Sequence, residues 1–168
     1  MSSNIYILSA PIRSGKTSSL MEFWESADIR IDGILTPDID GSRKMIFLDS
    51  EEEIMLEVDE TYKGAMVRVG KFYFSQESFE QAREKLNKIL PTKAQLIIID
   101  EIGTLELNGL GFEPELSSFL SQYKSMNVNS QLILVVRDSL LPKVIEKYEL
   151  DDAQVLSLHL FNKLFLSE

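Results

Sequence analysis

Asn4-Ile5-Tyr6-Ile7-Leu8-Ser9-Ala10-Pro11-Ile12-Arg13-Ser14-Gly15-Lys16-Thr17 is the stretch on which the reading of this chain turns. Asn4–Ser9 is a short apolar run that fits a buried strand. From Ala10 the residues follow the spacing G-x-x-x-x-G-K-[ST], with alanine in the first glycine position. Leu20, Met21, Phe23, Trp24 and Ala27 then recur close to i, i+3, i+4, i+7, which predicts a helix over Thr17–Ala27. A glycine loop between a strand and a helix N-terminus offers an anion several backbone N–H groups and the positive end of the helix dipole. The candidate phosphate cradle is therefore Ala10, Pro11, Ile12, Arg13, Ser14, Gly15, Lys16, Thr17 and Ser18. Gly15 lets the backbone approach closely, Lys16 would reach the β and γ phosphates, and the Thr17 hydroxyl would ligate Mg²⁺. Average residue frequencies give such a match by chance in roughly one chain of this length in a hundred. Ala10 costs about 1–2 kcal/mol if its position needs a positive φ, and little if it lies in β space.

Working outward, the chain alternates apolar runs with amphipathic segments. Phe79, Ala82, Leu86 and Ile89 predict a helix over Ser78–Leu90, with Ser78 and Gln81 as a capping box and Pro91 as its stop. Leu96–Asp100 and Leu132–Val136 read as buried strands, Pro114–Tyr123 and Leu141–Tyr148 as helices, and Ala153–Leu158 as a last strand. Uninterrupted apolar strands between amphipathic helices mean a parallel sheet covered on both faces, an α/β architecture. Gly33–Ser75 differs: short β-like pieces at Gly33–Thr36, Lys44–Asp49, Ile54–Val58 and Ala65–Phe74 predict hairpins. The expected organisation is one domain over residues 1–168 with an antiparallel β extension at about 33–75. Within it Asp49–Glu60 carries seven carboxylates, read as a solvated hairpin edge rather than a cation site.

A second signal is Leu96-Ile97-Ile98-Ile99-Asp100-Glu101, an apolar strand that ends in two carboxylates. Successive side chains on a strand point to opposite faces, so the two acids divide the work. Asp100 would serve Mg²⁺ through a water, and Glu101 the water that attacks the γ-phosphate. Lys16 and Glu101 are the catalytic candidates, and Thr17 and Asp100 the metal candidates.

Composition closes off other chemistries. The chain has 168 residues, 17 basic and 27 acidic, for a net charge of −10, and its pI is about 4.7. Bulk repulsion of that sign argues against general binding to nucleic acids or anionic membranes. The absence of cysteine removes disulfides, thiolate metal sites and thiol nucleophiles, and the single histidine, His159, cannot build a histidine-rich metal site. The apolar runs fall far short of a membrane span. The expected setting is the cytoplasm, and the expected state a monomer.

The chain resembles the small P-loop nucleoside-triphosphatases first described from thermophiles, which include a human cancer-related member. The resemblance is carried by Gly15-Lys16-Thr17, by Gly33-Ile34-Leu35-Thr36-Pro37 with the Asp38–Arg43 turn, by Val69-Gly70-Lys71-Phe72-Tyr73, and by Asp100-Glu101-Ile102-Gly103-Thr104-Leu105-Glu106-Leu107. It implies Mg²⁺-dependent hydrolysis of ATP, GTP and other nucleoside triphosphates to diphosphate and phosphate. It also implies a RecA-like order, in which another strand lies between the loop strand and the Asp100 strand. Two departures stand out: Ala10 for the usual glycine, and Asn162-Lys163 where the family tends to have Asn-Arg.

Two other readings compete. A kinase or cofactor-related enzyme would replace water with an acceptor, but no arginine-rich lid follows the third strand. The other is a low-turnover nucleotide-binding switch or assembly partner; a guanine-specific one would show Asn-Lys-x-Asp, and Asn162-Lys163-Leu164-Phe165 lacks the aspartate, so guanine specificity is unsupported. Arg13 reads equally as a phosphate contact or a solvated side chain, and Arg137 as a surface ion pair before a catalytic arginine. Glu106 would orient a water or cap a turn, and His159 and Trp24 are expected to pack.

Overall fold

The computed structural model describes residues 3–166. In chain order the strands and helices are β1 (Ile5–Ala10), α1 (Lys16–Ser26), β2 (Ile31–Leu35), β3 (Asp38–Ile39), β4 (Ser42–Phe47), β5 (Glu52–Met55), β6 (Glu57–Val58), β7 (Met66–Val69) and β8 (Phe72–Ser75). There follow α2 (Gln76–Lys88), β9 (Leu96–Ile102), α3 (Thr104–Leu107), α4 (Glu115–Ser125), β10 (Gln131–Arg137), α5 (Leu141–Tyr148), β11 (Gln154–Leu156) and α6 (Leu158–Phe161), continued by a π-helical turn over Asn162–Leu166.

The main sheet runs β11-β1-β10-β9-β2-β4-β3, with β5 also paired to β4. Pairing is parallel from β11 through β2 and antiparallel beyond. A small antiparallel sheet, β6-β8-β7, stands apart. This is the mostly parallel α/β architecture expected, and β10 does lie between the loop strand β1 and the Asp100 strand β9.

Alternate strand residues feed two cores, one on each face. Ile97, Ile99, Leu132, Leu134 and Val136 pack with the buried sides of α2, α4 and α5. Leu96, Ile98, Ile133 and Val135 pack with Leu20 of α1 and Phe161 of α6. The C-terminal segment clamps α1: the Phe161 and Phe165 rings stack at 4.9 Å, and both meet Phe23 edge-on. Trp24 joins this core half-buried, as expected, whereas His159 lies exposed on α6.

Several boundaries differ from the sequence reading. Gly33–Thr36 does more than the hairpin reading gave it: β2 pairs antiparallel with β4, Ile34 to Phe47 and Leu35 to Ile46, and on its other side joins the parallel sheet through β9, Ile31 to Leu96 through Ile34 to Ile99. Its polar interruption, Asp32, is accommodated by an ion pair with Lys85 at 2.7 Å. The helix expected from Ser78 begins at Gln76, capped by Ser75, whose side chain accepts from the Ser78 N–H. Ser78 instead donates its hydroxyl to the Met55 carbonyl, tying α2 to the extension. Pro114 is the N-cap of α4 rather than part of its first turn, and Leu158 begins a helix rather than ending a strand. In the acidic run β5 is largely exposed, and Asp49 pairs with Lys85 at 2.6 Å.

Candidate active site

The carboxyl ends of β1, β9 and β10 meet at one edge of the sheet, where ligands bind in open α/β folds. Ala10 is the last residue of β1, so alanine sits in β space and carries no positive-φ cost. The loop Pro11–Gly15 then turns into α1, with Gly15 as its N-cap at φ 95°, a conformation that favours glycine. Pro11, Ile12, Arg13 and Ser18 are exposed, Arg13 at φ 58°, while Ser14, Lys16 and Thr17 are half-buried. Lys16 folds back over the loop, its Nζ donating to the carbonyls of Ala10 and Pro11 at 2.9 Å each. Burial lowers the Lys16 pKa, opposed by the nearby charges of Asp100, Glu101 and Asp138.

Asp100 is fully buried. Its Oδ2 accepts from the Thr17 hydroxyl at 3.0 Å, the Thr36 N–H at 3.0 Å and the Thr36 hydroxyl at 3.3 Å. Its Oδ1, equally buried, has no partner among the described residues. Desolvation raises the Asp100 pKa despite these donors. Glu101 is raised to about 7, first by burial and then by the charge of Asp100 beside it.

Simple alternation along β9 breaks here. Leu134 opposes Ile99 but Val136 opposes Ile102, so β9 carries an extra residue at Asp100-Glu101. Glu101 adopts φ 56°, rare for a side-chain-bearing residue and worth about 1–2 kcal/mol of strain. Such irregularities re-aim side chains. Asp100 turns in to Thr17 and Thr36, and Glu101 turns to Arg43 of β4, with which it forms an ion pair. The charges of Lys16 and Arg137 also act on Glu101.

The structure thus gathers Lys16, Thr17, Asp100 and Glu101, with exposed Arg137 opposite Ala10 in the β1–β10 register. Glu106 is engaged in its own turn, with the Glu101 charge acting on it from nearby. It is buried, accepts from Gly103 N–H at 2.9 Å and Phe112 N–H at 3.2 Å, and caps its own turn. Sequence reasoning missed the roles of Thr36 and Arg43, although both stand in stretches that carried the resemblance.

Magnesium prefers hard oxygen ligands and keeps waters and substrate phosphates in its shell, so it needs few protein donors. The Thr17 hydroxyl and the unpartnered Asp100 Oδ1 fit that requirement. Among the described residues no group of three or more acidic or histidine side chains is arranged to hold a metal alone.

With this geometry in place, the comparisons are specific. A family profile described as NTPase matches residues 5–168. The chain belongs to that NTPase family. Two solved structures share the fold. THEP1 from the hyperthermophile Aquifex aeolicus aligns with a TM-score of 0.69 and 20% identity, covering 96% of this chain and 94% of that one. A human cancer-related nucleoside triphosphatase aligns with a TM-score of 0.62 and 20% identity, covering 95% of this chain and 90% of that one. No curated protein matches. The resemblance read from the sequence is borne out, and the architecture is that of the small P-loop NTPases. Among the described residues no helix is long and apolar enough to cross a membrane.

Proposed function

We propose that the chain hydrolyses ATP, GTP and other nucleoside triphosphates to diphosphate and phosphate, with Mg²⁺ as cofactor and without strong choice of base. The observation that carries this reading is the 3.0 Å hydrogen bond between Thr17 in the first turn of α1 and Asp100 at the end of β9, with Glu101 next along the strand. It brings the candidate phosphate cradle, the candidate cation ligands and the candidate water-orienting carboxylate to one place.

In this reading the loop N–H groups and Lys16 bind the β and γ phosphates, Lys16 exchanging two backbone carbonyls for phosphate oxygens. Thr17 and Asp100 would hold Mg²⁺, which when bound supplies charge neutralisation at the β and γ oxygens. Glu101 accepts a hydrogen bond from a water and aims it in line. The water oxygen bonds to the γ-phosphorus as the bond to the β–γ bridging oxygen breaks, and the water proton passes to Glu101. The chain contributes mainly positioning and charge stabilisation, because the transition state is loose. The protein acts as a cytoplasmic monomer on free nucleotides, and its net charge of −10 opposes polymeric nucleic acid.

The test is phosphate release from ATP, GTP, CTP and UTP with Mg²⁺, for wild type and Glu101→Gln, alongside nucleotide binding. Loss of a positioned base should lower turnover about 10²–10⁴-fold while binding persists. A Glu101→Gln variant that turns over at the wild-type rate refutes the role of Glu101. Tight wild-type binding with no release of phosphate refutes hydrolysis and favours an acceptor-dependent enzyme or a switch.

A further inference from the structure

The antiparallel extension delivers one side chain to the site. Asp38 of β3 pairs with Arg43 of β4 in a short hairpin. The Arg43 main chain is held on its other side, its N–H donating to Glu57 at 3.2 Å and its carbonyl accepting from the Leu56 N–H at 3.1 Å. From this fixed base the guanidinium crosses to the end of β9 and donates through Nη1 to Glu101 Oε2. The two side chains are 28% and 39% exposed, so the pair is partly sheltered yet within reach of solvent.

As it stands, this contact opposes the role given to Glu101. A carboxylate oxygen engaged by a guanidinium is a poorer acceptor for a water. Yet guanidinium has five donors in a rigid fork that matches phosphate oxygens as well as carboxylate. Lys16 and Arg137 also act on Glu101, so the carboxylate keeps positive neighbours when Arg43 leaves.

We propose that Arg43 is a catalytic residue that exchanges partners: it holds Glu101 until a nucleoside triphosphate arrives, then shifts to the terminal phosphate and frees Glu101 for water. This rests on the hydrolase reading. The exchange makes Arg43 a sensor of the γ-phosphate, since a diphosphate offers nothing at that position. The competing role is a staple that only fastens the hairpin to the sheet.

The experiment is a double-mutant cycle on Arg43→Ala and Glu101→Gln, reading affinity for a non-hydrolysable triphosphate and for the diphosphate. Phosphate release by Arg43→Ala and Arg43→Lys is measured beside it. Arg43→Ala should lower kcat about 10²–10³-fold, the range for one transition-state donor, and Arg43→Lys should recover part of it. Diphosphate affinity should stay within about twofold in every variant, because hydrogen bonds to the other phosphates are untouched. Glu101→Gln, which releases Arg43, should bind the triphosphate analogue several-fold more tightly, and that gain should vanish in the double variant. Strictly additive binding effects, or a kcat unchanged in Arg43→Ala while its thermal stability falls, would overturn the exchange and leave the staple. The binding cycle needs no turnover. Absent phosphate release in wild type would sink the hydrolase reading, while additivity would sink the exchange alone.

Discussion

Gly33→Ala tests whether the close packing of β2 on β9 holds the site together. Gly33 lies opposite Ile98 in the parallel register, at φ 122°. A Cβ there would overlap the Ile98 carbonyl oxygen and come within 2.8 Å of the Ile98 carbonyl carbon and nitrogen. Those are backbone atoms in the centre of the sheet, so no rotamer change relieves the clash. Holding alanine at this φ costs about 1–3 kcal/mol, and the overpacking adds about 1–3 kcal/mol, for a total of about 2–6 kcal/mol. In a domain of this size each kcal/mol moves Tm by about 2–4 °C, so a loss of about 4–24 °C is expected. Gly41→Ala is the matched control, at φ 81° with nothing within 4 Å of the added Cβ. It carries conformational cost alone, about 1–2 kcal/mol. Thermal unfolding followed by circular dichroism separates the two. The Gly33 variant should also lose hydrolysis at temperatures where it remains folded, because β2 leads directly to Thr36, whose N–H and hydroxyl hold Asp100. If Gly33→Ala melts within about 2 °C of Gly41→Ala, on a scale of 2–4 °C per kcal/mol, then β2 is not wedged against β9 and the reasoning fails.

Lys16→Ala should weaken binding of a non-hydrolysable triphosphate about 10- to 150-fold, the equivalent of about 1.5–3 kcal/mol for hydrogen bonds to a charged group; isothermal titration showing unchanged affinity would contradict its phosphate role. Glu106 sets a pH dependence of stability: burial raises its pKa from 4.5 to about 7, so the native state keeps a proton that the unfolded chain has lost. Its contribution is nil below about pH 4.5, turns destabilising as pH rises to about 7, and is then constant at about 3–4 kcal/mol, from about 2.5 pH units at about 1.4 kcal/mol each. Glu106→Gln should therefore flatten the fall in denaturation midpoint between pH 5 and 7 and lose stability at pH 5, where one amide hydrogen meets a backbone donor; an unchanged pH slope would remove Glu106 as its source.

What could be read from the chain was what is regular in it. The run Ile5–Leu8, the stripe along α1 and the apolar blocks of β9 and β10 repeat at the period of their own element, so the parallel core and the loop–helix junction were legible. The start of α2 was not, because Gln76 and Glu77 of its first turn are polar and exposed and carry no stripe. The start of β2 at Ile31 and its parallel pairing with β9 were not legible either, since Asp32 interrupts the apolar pattern and the partner that neutralises it is Lys85, on a different element far along the chain.

The site itself lies where the periodicities stop. Period two assigns Asp100 and Glu101 to opposite faces, and no residue type announces the extra residue that lets both serve one edge. The strained φ values of Arg13 and Glu101, and the glycine turn at Gly15, cluster at that edge, where regular hydrogen bonding has ended and side chains can be aimed independently. Arg43 reaches Glu101 across 58 positions of sequence, from the half-buried start of β4, whose local pattern carries no sign of that partner. A phosphate loop is a local device and can be recognised from one stretch. The carboxylate that would work beside it takes its geometry from a break in β9 and its ion pair from β4, so its setting follows from the assembled sheet.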